Sequence, residues 1–256
     1  MNIIQAIILG AVEGVTEFLP ISSTGHLILT SKLLSLHSTE FLKSFEIIVQ
    51  LGAILAVVFL YWRTFLTNWA VLKRVVVAFI PTAIIGLVFY KIVKNYLLGN
   101  EQIVLWSLFI GGILLIIFEI FHSEKDTALD DLANLSYGKA ALIGIFQSLA
   151  IIPGVSRSAA TILGGLLLDM RRKAIVEFSF LLAVPTMIGA TGLDLFKSAD
   201  QFSSDQFGVL AIGFVTAFIT ALISIKFLLN YIQKRNFMPF GIYRIALAIL
   251  FWLVII

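Results

Sequence analysis

The sequence predicts an all-α polytopic membrane protein: six full transmembrane helices, two re-entrant broken-helix pairs, and an inverted-topology repeat. Three observations predict it. The mean hydropathy is +1.04 and charged residues make up only 13% of the chain, far less charged surface than a soluble domain carries. Several runs reach the ~20 apolar residues that cross ~30 Å of hydrocarbon. Two further apolar regions are each interrupted by a proline and then by hydroxyl residues. Alternating strand patterns of the outer-membrane kind are absent.

Taken in chain order, the first region, 2–36, breaks at Leu19-Pro20 and continues as Ser22-Ser23-Thr24-Gly25. Full spans follow at 41–62, 74–94 and 101–121. The second region, 139–170, breaks at Pro153-Gly154 and continues as Ser156-Arg157-Ser158, followed by spans at 173–193, 207–230 and 239–256. Proline removes a helix donor and disfavours helix in the residue before it, and serine just after the break is a good N-cap. Each region therefore reads as two half-helices joined by a polar elbow. Irregular backbone at membrane depth survives where protein or a water-filled cavity covers it.

The whole chain, 1–256, reads as a single integral membrane domain with internal repeats at about 1–121 and 137–256. At an offset of 134, Gly10 meets Gly144, Glu13 meets Gln147, Ile21 meets Val155, Ser22 meets Ser156 and Thr24 meets Ser158. A re-entrant pair plus three spans gives each half an odd number of crossings, which inverts the second half and puts the site where the broken helices meet. The structural alternative is a chance likeness from a shared apolar vocabulary.

Lysine and arginine set the orientation. With the 63–74 loop inside, Arg63, Lys73, Arg74, Lys125, Lys139, Arg171, Arg172, Lys173, Lys234 and Arg235 all lie inside. Lys32, Lys43, Lys91, Lys94 and Lys197 lie outside, as do both termini. The opening MNIIQAIILGAVEG lacks a basic flank and soon meets Glu13, so a retained segment is expected rather than a cleaved signal. The absence of cysteine excludes disulfides, thiolate chemistry and thiolate zinc sites. The net charge of +3 is ordinary for basic cytoplasmic loops, and no basic tract suggests nucleic acid.

Chemistry concentrates in the elbows. Glu13 and Glu17 are spaced i, i+4 and share a helical face; acids in a membrane span point to function by default. The pair suits a hard divalent cation such as Mg2+ or Ca2+, or one of them serves as a general base. Ser22, Ser23 and Thr24 open a half-helix, where they cap or help an exposed N-terminus bind phosphate. Ser23 and His26 are spaced i, i+3, the pattern of a hydroxyl beside a base. Arg157 in the second elbow either clamps phosphate through its planar fork or pairs with Glu13 or Glu17. Ser156, Ser158 and Thr161 add hydroxyls for substrate or for capping, and Gln147 is a neutral partner by repeat symmetry. Joined, the elbows make a phosphoryl-transfer site. Elsewhere, His37 and His122 read as structural histidines, Gly10-x-x-x-Gly14, Gly111-Gly112 and Gly164-Gly165 as close-packing sites, the 124–131 segment as a solvated loop, and Lys226 and Arg244 as interface snorkellers.

EGVTEFLPISSTGH at 13–26 and PGVSRSAAT at 153–161, with FEIIVQLGAILAV at 45–57, resemble the undecaprenyl-diphosphate phosphatase family of the bacitracin-resistance type. The resemblance implies hydrolysis of undecaprenyl diphosphate to the monophosphate and inorganic phosphate, which regenerates the lipid carrier for peptidoglycan. It also implies a divalent-cation requirement and a multi-pass place in the bacterial plasma membrane, with the active site open to the outer face. Glu13, Glu17, Ser23, His26 and Arg157 become the functional positions, with Ser156 and Thr161 in support. The attacking group is either Ser23, deprotonated by Glu17 or His26, or a metal-activated water. The expected partners are a polyprenyl diphosphate lipid and membrane lipids, with a homodimer as one allowed assembly. A lipid phosphatase of the acid-phosphatase type needs a histidine after its arginine, and all the histidines here precede Arg157. The rival is a transporter or flippase of a phosphorylated lipid, whose architecture also uses inverted repeats and broken helices.

Overall fold

The computed structural model describes residues 1–37, 39–97, 100–198 and 207–255. Residue 256, the end of the last expected span, and the side chains of Lys94 and Lys197 lie outside what is described. Most of the described residues are helical, and none of them forms a strand.

The first broken pair is α1 (Ile3–Thr16) and α2 (Ser23–Leu33). A capping box starts α1: Asn2 Oδ1 accepts from Gln5 N and Gln5 Oε1 accepts from Asn2 N. At about 1.5 Å per residue these helices are roughly 21 and 16 Å long, too short to span. Next come α3 (Glu40–Leu60), the short α4 (Trp62–Thr67), α5 (Trp69–Ile92) and α6 (Glu101–Phe121). The second broken pair is α7 (Tyr137–Ser148) and α8 (Arg157–Leu167), again too short to cross alone. It leads into α9 (Arg172–Ser198), α10 (Phe207–Ile232) and α11 (Met238–Ile255). Five of these helices, α3, α5, α6, α9 and α10, are long and apolar enough to cross a membrane, and α11 is a shorter apolar helix.

The halves exchange partners. α1 packs on α10 and α7 packs on α5; α10 packs on α3 and α5 on α9; α3 meets α9 and α6 meets α11. The close approach of α1 to α10 depends on small residues: a Cβ at Gly10 would overlap the Gly213 carbonyl, and one at Gly14 would overlap the backbone of Ala217 and Ala221. Many large apolar side chains, among them Val88, Phe121 and Leu253, point outward. That surface is expected of a chain whose solvent is lipid.

Basic segments gather at one end of the bundle. Arg74 donates to the Leu135 carbonyl at 2.5 Å and Lys139 to that of Leu168 at 2.7 Å. Lys125 pairs with Asp169 at 2.8 Å, holding that carboxyl below its ordinary range, and Arg172 pairs with Glu119. At the opposite end Lys32 pairs with Glu101 at 2.6 Å. The 124–131 loop is tied down by the bridge between Leu129 and Met170. Lys226 is exposed, as expected of a snorkelling side chain. Arg244 contradicts that expectation: it is completely buried among backbone carbonyls in the middle of the bundle. Its place near the start of α11 suggested an interface, but the elbows bring unpaired carbonyls to it there.

Candidate active site where the elbows meet

Each elbow ends in a serine with positive φ. Ser22 lies at φ 70°, ψ 94° and Ser156 at φ 74°, ψ 113°, and each caps the helix that follows. Ser22 Oγ accepts from Gly25 N at 3.4 Å and Ser156 Oγ from Ala159 N at 3.2 Å. Positive φ in a residue with a Cβ costs of order 1–3 kcal/mol and concentrates at functional sites. Before the second cap, Gly154 sits at φ 92°, where a Cβ would strike the Val104 carbonyl and Ser107. Two helix N-termini, with their free N–H groups, are thereby aimed into the interior.

The elbows touch directly. Ser158 Oγ donates to the Phe18 carbonyl at 2.8 Å, and Phe18 packs edge-on against Phe180 of α9 at 5.3 Å. Ser158, expected at the substrate, has its hydroxyl buried and donated across to the first elbow.

Arg157 Nη2 donates to Glu17 Oε1 at 2.9 Å, and Ser23 Oγ–H donates to Glu17 Oε2 at 2.5 Å. One carboxylate thus joins the arginine of one elbow to the hydroxyl of the other. Glu17, Ser23 and His26 are buried, and the Arg157 side chain is 9% exposed. Arg157 Nη1 donates to the Ser179 carbonyl at 3.0 Å, which fixes the fork against α9. Arg157 Nε and Ser179 Oγ are buried without partners. They are unspent donors beside the ion pair, the capacity an incoming phosphate oxygen would use.

Glu13 is completely buried, and neither of its carboxylate oxygens has a hydrogen-bond partner. The charges of Glu17, Glu46 and Arg157 act on it. A buried carboxylate with both oxygens free fits a cation site, since an unpaired buried charge is costly. Among the described residues no group of three or more His, Cys, Asp or Glu stands together as a ready metal cage. One or two carboxylates completed by phosphate and water oxygens is the manner in which magnesium binds.

The ring nitrogens of His26 bond to groups other than Ser23. Its Nδ1 lies 2.7 Å from the Ser22 carbonyl and its Nε2 lies 2.8 Å from the Tyr243 hydroxyl. A carbonyl only accepts, so Nδ1 carries the proton, and in the neutral ring Nε2 accepts from Tyr243. The two rings stack at 5.5 Å with planes 6° apart. Of the two bases expected for Ser23, the geometry pairs Ser23 with Glu17 alone.

The remaining predicted residues stand outside this contact. Thr24 is exposed in the first turn of α2. Thr161 Oγ1 lies 2.8 Å from the Arg157 carbonyl and 3.2 Å from Gln147 Oε1, two acceptors that share its single proton. Gln147 Nε2 donates to Thr82 at 3.2 Å and to Thr186 at 2.9 Å. Gln147 therefore supports the second half-helix from behind instead of facing Glu13. Nothing in the sequence singles out Ser179 or Tyr243, and Arg244 reads there as an interface residue, because none of the three stands beside a proline break or a hydroxyl-rich motif in its helix.

Comparison with known proteins shows the family. The chain is 55% identical to an undecaprenyl-diphosphatase of Sulfurihydrogenibium sp. (strain YO3AOP1), over 99% of each chain. It is 51% identical to the undecaprenyl-diphosphatase of Aquifex aeolicus (strain VF5), over 96% of each, and 51% identical to that of Persephonella marina, over the full length of both. The residues between 6 and 250, which include both elbows and the α11 positions that close on them, match the family described as Bacitracin resistance protein BacA, and the chain belongs to that family.

Proposed function

We propose that the chain hydrolyses undecaprenyl diphosphate to undecaprenyl phosphate and inorganic phosphate, and that the joined elbows are where it does so. The observation that carries the site assignment is the link Arg157–Glu17–Ser23, at 2.9 and 2.5 Å, across two elbows 140 residues apart in sequence. Family membership and the names of the full-length relatives support the activity.

The prenyl tail lies among the apolar helices and the diphosphate reaches the polar seam. Arg157 and the N-termini of α2 and α8 hold its oxygens, with Arg157 Nε the first free donor. Ser23 attacks the terminal phosphorus as its proton passes to Glu17 Oε2, the acceptor already in place. The bond from that phosphorus to the bridging oxygen breaks, undecaprenyl phosphate leaves, and water, deprotonated by a carboxylate, clears the phosphoserine. His26, neutral with its proton on Nδ1, offers Nε2 only as an acceptor and holds the Tyr243 hydroxyl beside the site. Glu13, with Glu17 beside it, would hold a divalent cation, which would neutralise charge on the diphosphate.

The exchange of helix contacts between halves and the matched positive-φ caps support the inverted-repeat reading. The gathering of basic segments at one end supports a cytoplasmic placement of that end in a bacterial plasma membrane, with access from the outer face. The test is phosphate release from undecaprenyl diphosphate by purified protein in detergent with magnesium or calcium. Release that stops on chelation is expected. Lipid binding or translocation without release would favour the transporter.

A further inference from the structure

Arg244 is an expensive residue at the centre of a membrane bundle. It is fully buried, and among the described residues its hydrogen-bond partners are all backbone carbonyls. A guanidinium offers five N–H donors, and here five carbonyls take them. Nε donates to Leu108 O at 3.3 Å. Nη1 donates to Pro20 O at 3.3 Å and Val155 O at 3.0 Å. Nη2 donates to Ser107 O at 2.9 Å and Gly154 O at 3.1 Å.

Those carbonyls have a pattern. Pro20 lies in the first elbow, Gly154 and Val155 in the second, and Ser107 and Leu108 at mid-length in α6. The elbow carbonyls fall just before the capping serines, where the chain has left the helix and its acceptors need partners. Gly111, at the centre of α6, leaves the room: a Cβ there would overlap the guanidinium. We infer that Arg244 is a positioning residue that clasps the two elbows and α6 together, setting the register between Ser23 on one elbow and Arg157 on the other. With every donor spent on backbone, it has none for phosphate, so it acts through the elbows. The next residue, Tyr243, meets His26; α11 therefore reaches the first elbow's half-helix as well.

The inference rests on the phosphatase reading of the elbows, and the test separates the two. Arg244→Lys keeps the charge but replaces a five-donor fork by three donors on one atom. In purified full-length protein, kcat for phosphate release from undecaprenyl diphosphate should fall at least about tenfold while KM changes less than about threefold. Gly111→Ala, which alters neither elbow nor Arg244 itself, should shift kcat in the same direction. Hydrogen exchange, which needs no turnover, should speed up in peptides covering 17–26 and 150–158 in both variants, with α10 unchanged. Unchanged exchange in both elbows overturns the inference whatever the activity. So does a wild-type kcat in Arg244→Lys, or a loss that merely follows the unfolded fraction. Wild-type protein that releases no phosphate while the elbows still loosen in the variants would overturn the phosphatase reading and leave the clasp standing.

Discussion

At the residue scale, the proposed chemistry rests on one carboxylate with two duties. Glu17 spends Oε1 on Arg157 and Oε2 on Ser23, so it both orients the cation and stands ready for the hydroxyl proton. Replacing Glu17 with Gln should lower kcat by about 10²–10⁴-fold, the usual worth of a positioned proton acceptor. Ser23→Ala should lower it by at least as much. Because the two act as one unit, the double variant should be no slower than the slower single variant. Phosphate-release kinetics on the three proteins check this; losses that multiply would separate the residues into independent roles. Glu13, Glu17, His26 and Arg157 were legible in the sequence because ionisable groups in lipid need a reason to be there, and Ser23 because it lies i, i+3 from His26. The roles of Ser158 and Gln147 were not. A hydroxyl or amide beside a break satisfies backbone and substrate equally well on paper, and only the fold shows that Phe18 and three threonines claim them.

At the element scale, short half-helices held by polar clamps build the site. The broken pairs were readable from Pro20 and Pro153, each followed by a capping serine. Their depth was not, because depth depends on α11 and α6 supplying Arg244 and the gap at Gly111. Arg244 and Lys226 looked alike in sequence, both near a helix end, yet one is buried and the other exposed. A second clamp stands at the basic end of the bundle. Glu119 of α6 takes both arms of Arg172 on α9 and accepts from Phe237 N at 3.1 Å, just ahead of α11. Its side chain is 1% exposed. Glu119→Ala leaves a mostly buried arginine unpaired and should cost about 3–5 kcal/mol. The thermal unfolding temperature in detergent should fall, while KM for the lipid substrate holds in the folded protein. Unchanged unfolding would show that the clamp carries no stability.

At the scale of the whole molecule, two inverted halves would set a reaction centre where neither half could build one alone. Glu13, Glu17, Ser23 and His26 come from the first half, Arg157 from the second, and Tyr243 and Arg244 from the last helix. The orientation is testable because the chain has no cysteine. A single cysteine at His37 should react with an impermeant thiol reagent added outside intact cells, and one at Asp126 only after the membrane is opened. Labelling of both from the same side would refute the crossing pattern. The most direct measurement is phosphate release from undecaprenyl diphosphate by purified, folded Glu17→Gln and Arg157→Lys proteins beside the wild type. A site shared by both elbows predicts loss of release in both variants. Wild-type turnover in both would place the reaction elsewhere in the molecule.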